Sequence, residues 1–158
     1  MSAQTSYSRL QAVAYAGMIY ALAPRDIASR AAEGDIAFGI AVSRGSDPDT
    51  QVVPGGATGF MGISVRALDQ EGVANTGAIQ YDDEETVAVM RSGYIWAVCP
   101  TGCVPGDVVN YVDATGVLDS GAAVAGETSL DNAQWETTTA AGEIGLISLT
   151  SQPTTAGV

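Results

Sequence analysis

From Gly34 onward the chain alternates between short apolar stretches and clusters of Gly, Asp, Ser and Pro. The stretches are rich in Val and Ile, which favour strands, and the clusters between them are typical of turns. Strands separated by turns about every 8 to 12 residues predict a sandwich or a barrel. Because no heptad pattern and no alternation of strand and helix patterns is present, the expected fold class is all-β, built of short antiparallel strands.

Three pairs of apolar stretches, each separated by a short polar turn, predict hairpins. The first joins ETVAVM (85–90) to YIWAVC (94–99) through RSG, with Val87, Val89 and Ile95 in the core. The second joins DVVNYV to VLDSG through DATG, and the third joins AQWETTT to IGLISLT through AAGE.

The N-terminal region has a different pattern. It is rich in Ala and Tyr, is interrupted by Gly17 and has no clean period, which predicts an extended arm over residues 1–26 that precedes a knob domain over 27–158. The apolar side chains expected to anchor this arm are Tyr7, Leu10, Tyr15, Met18, Ile19, Tyr20 and Leu22.

The segment PRDIASRAAEG (24–34) fits two structures. A Pro near its start, an Asp in the first turn and a closing Gly are typical of a short helix. The alternation of Ile27, Ser29 and Ala31 with Ala28 and Arg30 also fits a strand, so the pattern leaves both open.

Charge excludes several classes of function. The chain of 158 residues has six Arg, no Lys and no His against 18 acidic residues, a formal net charge of −12. Because nucleic acids and anionic membranes are bound through basic groups, neither is an expected partner. The apolar run 12–23 resembles a secretory signal, but it is shorter than the roughly 20 residues that span a bilayer, and Pro24 follows its apparent cleavage site. We therefore expect no signal peptide and no membrane segment.

The sequence offers little for catalysis or metal binding. Without His there is no imidazole base or ligand, and Cys99 and Cys103 alone cannot complete a tetrahedral zinc site. Their spacing in a strand-rich region favours packing on either side of a turn and leaves a disulfide between them open. The acidic run DDEE (82–85) lacks calcium-loop spacing and predicts a solvated loop. We expect no catalytic residue, no cofactor and no metal.

Several segments in their order resemble the structural cement, or head decoration, proteins of tailed bacteriophages. They are SRAAEG (29–34) followed by a Phe-Gly strand, ATGFMGISVRAL (57–68), YDDEETVAVMRSGYIWAV (81–98), VPGDVVNYVDATGVL (104–118) and AQWETTTAAGEIGLISLT (133–150). The resemblance implies a barrel-like or tulip-like knob with an extended arm, and it favours a strand for residues 25–33.

The resemblance also implies a function. Such a protein is made in the host cytoplasm, attaches to the outer surface of the virion capsid, often as a homotrimer, and bridges copies of the major capsid protein to stabilise the mature head. It is not an enzyme. The residues expected to bind the capsid lie on the arm: Tyr7, Arg9, Leu10, Tyr15, Met18, Ile19 and Tyr20. Arg side chains would pair with capsid carboxylates.

The alternative from another class is a carbohydrate-binding or carbohydrate-active β domain of a virion or cell surface. In that interpretation Trp96 and Trp135 would stack on sugar rings, although the pattern favours packing in the core for both residues.

Overall fold

The computed structural model describes residues 14–20, 23–68 and 79–151. All the regular structure in these ranges is strand, which confirms the all-β class. The segment that the pattern left open forms strand β1, as the resemblance implied. The strands are β1 (Asp26–Ala32), β2 (Ile36–Ala37), β3 (Ala41–Arg44), β4 (Gln51–Pro54), β5 (Phe60–Ser64), β6 (Gln80–Tyr81), β7 (Thr86–Cys99), β8 (Val108–Val112), β9 (Leu118–Ser120), β10 (Glu127–Trp135) and β11 (Glu143–Leu149).

Five strands close into a barrel in the order β1-β4-β3-β5-β7, and β7 pairs back onto β1. Four of the five pairings are antiparallel, and β1 and β4 are parallel. Each barrel strand contributes at least one side chain to a common buried cluster, so this cluster is the barrel interior. Its strand residues are Ala32, Val42, Val52, Met61, Val87 and Val89.

An outer sheet extends from the barrel in the order β7-β11-β10-β8-β9. A second buried cluster lies between this sheet and the outer wall of the barrel. The wall contributes Ala41, Ile63 and Met90. Ala41 and Met90 each precede or follow an inward-facing Val, and in β5 a register shift at Met61 separates the inward-facing Met61 from the outward-facing Ile63. Trp135 of β10 fills this cluster and is fully buried.

Strand β7 belongs to both layers, and here the first predicted hairpin is wrong. Residues 86–99 form one continuous strand. Its register with β1 skips one residue, since Ser92 pairs with Asp26 and Met90 with Ile27, so Arg91 lies in a bulge. A bulge uses the same polar and Gly residues as a turn, but it bends the strand without reversing it.

The bulge changes the side to which the residues of β7 point. Val87 and Val89 face the barrel interior, whereas Ile95 and Ala97 face the second cluster. The predicted burial of Val87, Val89 and Ile95 is confirmed, because all three are fully buried.

The other two predicted hairpins are present. Strands β8 and β9 are antiparallel neighbours, and so are β10 and β11, which pair at Ala133–Leu149 and Trp135–Ile147. In the part of the chain that the structure describes, no helix is long and apolar enough to cross a membrane.

Candidate functional site

Residues 17–20 lie beside the second half of β7 and act as an additional strand. The Gly17 N–H donates to the Trp96 carbonyl at 2.8 Å, and the Trp96 N–H donates to the Met18 carbonyl at 2.9 Å. The backbone N–H of Tyr20 donates to the Tyr94 carbonyl at 3.0 Å, and the backbone N–H of Arg66 donates to the Gly17 carbonyl at 2.8 Å. This part of the predicted arm therefore packs on the folded domain. The boundary predicted between residues 26 and 27 falls directly after Asp26, the first residue of β1.

Two glycines permit this close approach. Gly17 has φ +77°, and a Cβ there would lie 2.8 Å from the backbone nitrogen of Arg66. Gly39 has φ +73°, and its Cβ would lie 2.6 Å from the backbone nitrogen of Gly17. Because these neighbours are backbone atoms, a side chain at either position would separate the segment from the barrel.

The docked segment extends an apolar surface on the outer sheet. Ile19 pairs with Ile95, so both side chains point towards the second cluster and their neighbours point to the opposite side. On that side β11 places Leu146 opposite Trp96, and Ile144 opposite Val98. We call this surface the apolar face, and its residues are Met18, Tyr20, Tyr94, Trp96, Val98, Ile144 and Leu146.

The apolar face is accessible to a partner. Met18 is 42% exposed, Tyr20 49%, and Tyr94 and Val98 37% each. The ring of Tyr20 lies 6.2 Å from the ring centroids of both Tyr94 and Trp96. Aromatic residues and Met are enriched in protein interfaces, and contiguous exposed apolar surface marks interaction sites.

A depression of about 530 Å³ adjoins the apolar face. It is lined by Tyr15, Met18, Ile19, Arg66 and Leu68. The Arg66 guanidinium carbon lies 5.2 Å from the ring centroid of Tyr15 and 5.2 Å from that of Phe38. Leu68 is 95% exposed. The depression thus combines apolar walls with one cation held against aromatic rings.

The arm residues predicted to bind the capsid separate into three groups. Tyr15, Met18 and Tyr20 are exposed, whereas Ile19 turns inward and packs against the second cluster. The other three, Tyr7, Arg9 and Leu10, lie outside the described residues.

Sequence reasoning missed Arg66, Leu68 and the contribution of β7 and β11 to this surface. A signal was available in β7. In YIWAV (94–98) the residues on both sides of the strand are apolar: Tyr94, Trp96 and Val98 on one side, and Ile95 and Ala97 on the other. This pattern indicates a strand whose two sides are both covered, one by the core and the other by a partner.

The two cysteines lie in the second cluster, where both are free thiols. Cys103 and Thr139 exchange backbone hydrogen bonds of 3.2 and 2.9 Å, and the Cys103 thiol donates to the Thr137 carbonyl at 3.2 Å. Burial raises the pKa of the Cys103 thiol above its ordinary value. The contacts are those of packing residues, and a disulfide between Cys99 and Cys103 stays a prediction.

The acidic run forms a hydrogen-bonded turn with exposed and half-buried side chains. The Asp82 N–H donates to a Glu85 carboxylate oxygen at 2.9 Å, and the Gly34 N–H donates to Asp83 at 2.7 Å. A separate carboxylate, that of Glu33, accepts hydrogen bonds from the N–H and the hydroxyl of Ser46, and these bonds lower the pKa of Glu33. Among residues 14–20, 23–68 and 79–151, no three His, Cys, Asp or Glu side chains converge as metal ligands would.

Trp135 cannot serve as a sugar platform. Trp135 is fully buried, and its indole N–H donates to the Asp119 carbonyl at 3.1 Å, so no face of this ring is open to a ligand. Trp96 is half-buried and lies against Tyr20 within the apolar face.

Comparison with known proteins identifies the family. No curated protein matches the sequence. A chain from a solved structure titled "The capsid of Myoviridae Phage XM1" has the same fold, with a TM-score of 0.74 and 13% sequence identity over 94% of this chain and 97% of that chain. The family model "Structural cement protein (E217 gp24/Pam3 gp6)" matches residues 3–150. The family supports a structural role in a phage capsid, and since the match spans nearly the whole sequence, the chain belongs to the structural cement protein family.

Proposed function

We propose that this protein binds the outer surface of a phage capsid through its apolar face and bridges neighbouring major capsid proteins, which stabilises the mature head. The single observation that carries the proposal is the exposed apolar face in a member of the cement family. Burial of this apolar surface would favour association even for a chain with a net charge of −12.

The energy of one such contact is modest, and repetition makes it sufficient. Burial of the exposed half of Met18, Tyr20 or Tyr94 would contribute about 1 kcal/mol per side chain. A protein that touches several capsid subunits multiplies this contribution, because later contacts form at a high effective concentration. We include in the proposal a homotrimeric attached form, which the family resemblance implies and which sedimentation equilibrium would test.

The direct test is binding to capsids assembled from the phage's own major capsid protein without the cement protein. The double variant Met18→Ser/Tyr20→Ser should lose cosedimentation with these capsids. The matched control is Val124→Ser, since Val124 is 65% exposed in the loop between β9 and β10, away from the apolar face. Full binding by the double variant would contradict the proposal.

The rest of the arm is tested by truncation. Deletion of residues 1–13 removes Tyr7, Arg9 and Leu10 and leaves the hydrogen bonds of Gly17 and Tyr20 in place. If these residues bind the capsid, the truncated protein should stay folded and bind more weakly. Stabilisation of the head is read separately, as the temperature at which DNA-filled capsids release DNA, which should be lower without the cement protein.

A further inference from the structure

We infer that the depression next to the apolar face is an anchor for an apolar side chain that has an Asp or Glu beside it on a neighbouring capsid subunit, with Arg66 binding the carboxylate. The inference rests on the proposed function and specifies the chemistry of the partner. It assigns a docking role to Arg66 and Leu68, which lie outside the predicted arm.

Among the arginines of the described ranges, Arg66 is distinguished by its contact with aromatic rings. Arg91 forms an ion pair with Asp26 at 2.6 Å. Arg44 donates to the Pro48 carbonyl at 2.7 Å, and Arg30 donates to the Ser29 carbonyl at 2.8 Å. Within those same ranges Arg91 is the arginine that has a carboxylate at ion-pair distance. Arg66 has none there, and its guanidinium is the one that lies against aromatic rings, those of Tyr15 and Phe38.

Stacking on the rings leaves the N–H donors of Arg66 available to a partner. A guanidinium carries its five N–H donors in its own plane, so contact with a ring does not consume them. Phe38 is itself fixed, because it is buried and lies edge-on to Tyr81 at 5.1 Å. The rings therefore restrict the Arg66 side chain before a partner arrives, which lowers the entropy that binding costs.

The charge of the protein also favours Arg66 as the place where a carboxylate binds. The protein has a net charge of −12, so a carboxylate on a partner is repelled by most of its surface. Arg66 has no carboxylate partner among the described residues, and in an otherwise apolar depression it attracts a carboxylate locally. Leu68 and Met18 line the same depression and supply the apolar contact beside the cation. This combination selects an apolar residue adjacent to an acidic one.

The test measures the affinity of full-length variants for capsids assembled without the cement protein. Arg66→Gln should weaken binding by about ten- to a hundredfold, the loss typical of a charged hydrogen bond. Arg66→Lys should recover only part of it, because Lys cannot form a two-pronged pair. The wild-type affinity should fall with added salt more steeply than that of Arg66→Gln.

Arg44→Gln is the control for the loss of one positive charge, since Arg44 is near the opposite end of β5 and should bind within about twofold of wild type. Leu68→Ser is the control for misfolding: at 95% exposure Leu68 contributes little to stability, and its loss should still weaken binding severalfold.

The outcomes distinguish the two proposals. If Arg66→Gln and Leu68→Ser bind like wild type while Met18→Ser/Tyr20→Ser does not, the carboxylate anchor is wrong and the proposed function stands. If the wild-type protein does not bind capsids, both fail. Equal losses in Arg66→Gln and Arg44→Gln would also overturn the anchor, because only net charge would then matter.

Discussion

The substitution Gly17→Ala tests whether the docked segment depends on its glycines. Ala at φ +77° costs about 1–2 kcal/mol, because an L side chain is strained in the left-handed region. Its Cβ would also lie 2.8 Å from the Arg66 nitrogen and 3.0 Å from the Gly39 nitrogen, and overpacking of this kind costs about 1–3 kcal/mol more. The combined cost of about 2–5 kcal/mol should open the segment locally and leave the barrel folded.

Native-state hydrogen exchange measures this opening. The amides of Trp96 and Arg66 donate to Met18 and Gly17, so they should lose protection by at least about tenfold in the variant. The amides that hydrogen-bond β8 to β10 should keep their protection from exchange.

Gly34→Ala is the matched control, because Gly34 has φ +88° but nothing within 4 Å of its Cβ position. Gly34→Ala should lower overall stability through backbone strain alone, and the Trp96 and Arg66 amides should stay protected from exchange. Unchanged protection of these two amides in Gly17→Ala would refute the reasoning, and so would equal effects of the two variants on them.

Three further predictions concern stability. Gly145→Ala should lower the free energy of unfolding in urea by about 1–3 kcal/mol, since its Cβ would lie 2.8 Å from the buried Trp135 ring; an unchanged midpoint would contradict this. Because the pKa of the Cys103 thiol is raised in the folded protein, the thiol ionises at lower pH in the unfolded chain, and the free energy of unfolding should fall as pH rises above about 8.5. In Cys103→Ala the free energy of unfolding, measured in urea at several pH values, should depend less on pH in this range. The lowered pKa of Glu33 affects stability at acid pH instead. The ionised carboxylate stabilises the folded protein above about pH 4.3, and this stabilisation is lost as pH falls through the folded-state pKa. Glu33→Gln should remove this part of the pH dependence of unfolding at acid pH.

Much of the fold could be predicted because its causes are local. Alternating apolar residues and Gly-rich turns predicted the all-β class and two of the three hairpins. The hairpin predicted at Arg91–Gly93 is absent, and the prediction failed because turns and bulges use the same residue types. What distinguishes them is the partner strand: β1 and β11 both pair with β7, and the exposed pair of Arg91 with Asp26 joins residues far apart in the sequence.

The candidate site was predicted only in part. Tyr15, Met18 and Tyr20 were identified from the composition of the N-terminal region, and the structure leaves all three exposed. Ile19 was grouped with them, but a residue in an added strand must alternate with its neighbours, and Ile19 faces inward. Arg66 and Leu68 carried no local signal, because what matters about them is their distance from Tyr15 and Phe38.

The sequence alone determined the all-β class, the family and the exclusion of chemistry that needs His or a basic surface. The fold class and the excluded chemistry follow from residue types and their spacing, which are properties of neighbouring positions, whereas the family follows from the resemblance of several whole segments in their order. Only the tertiary structure decided that β7 continues through its bulge, that residues 17–20 complete the sheet beside it, and that Arg66 lies against two rings. Each of these depends on contacts between distant parts of the chain, and such contacts form only when the barrel closes.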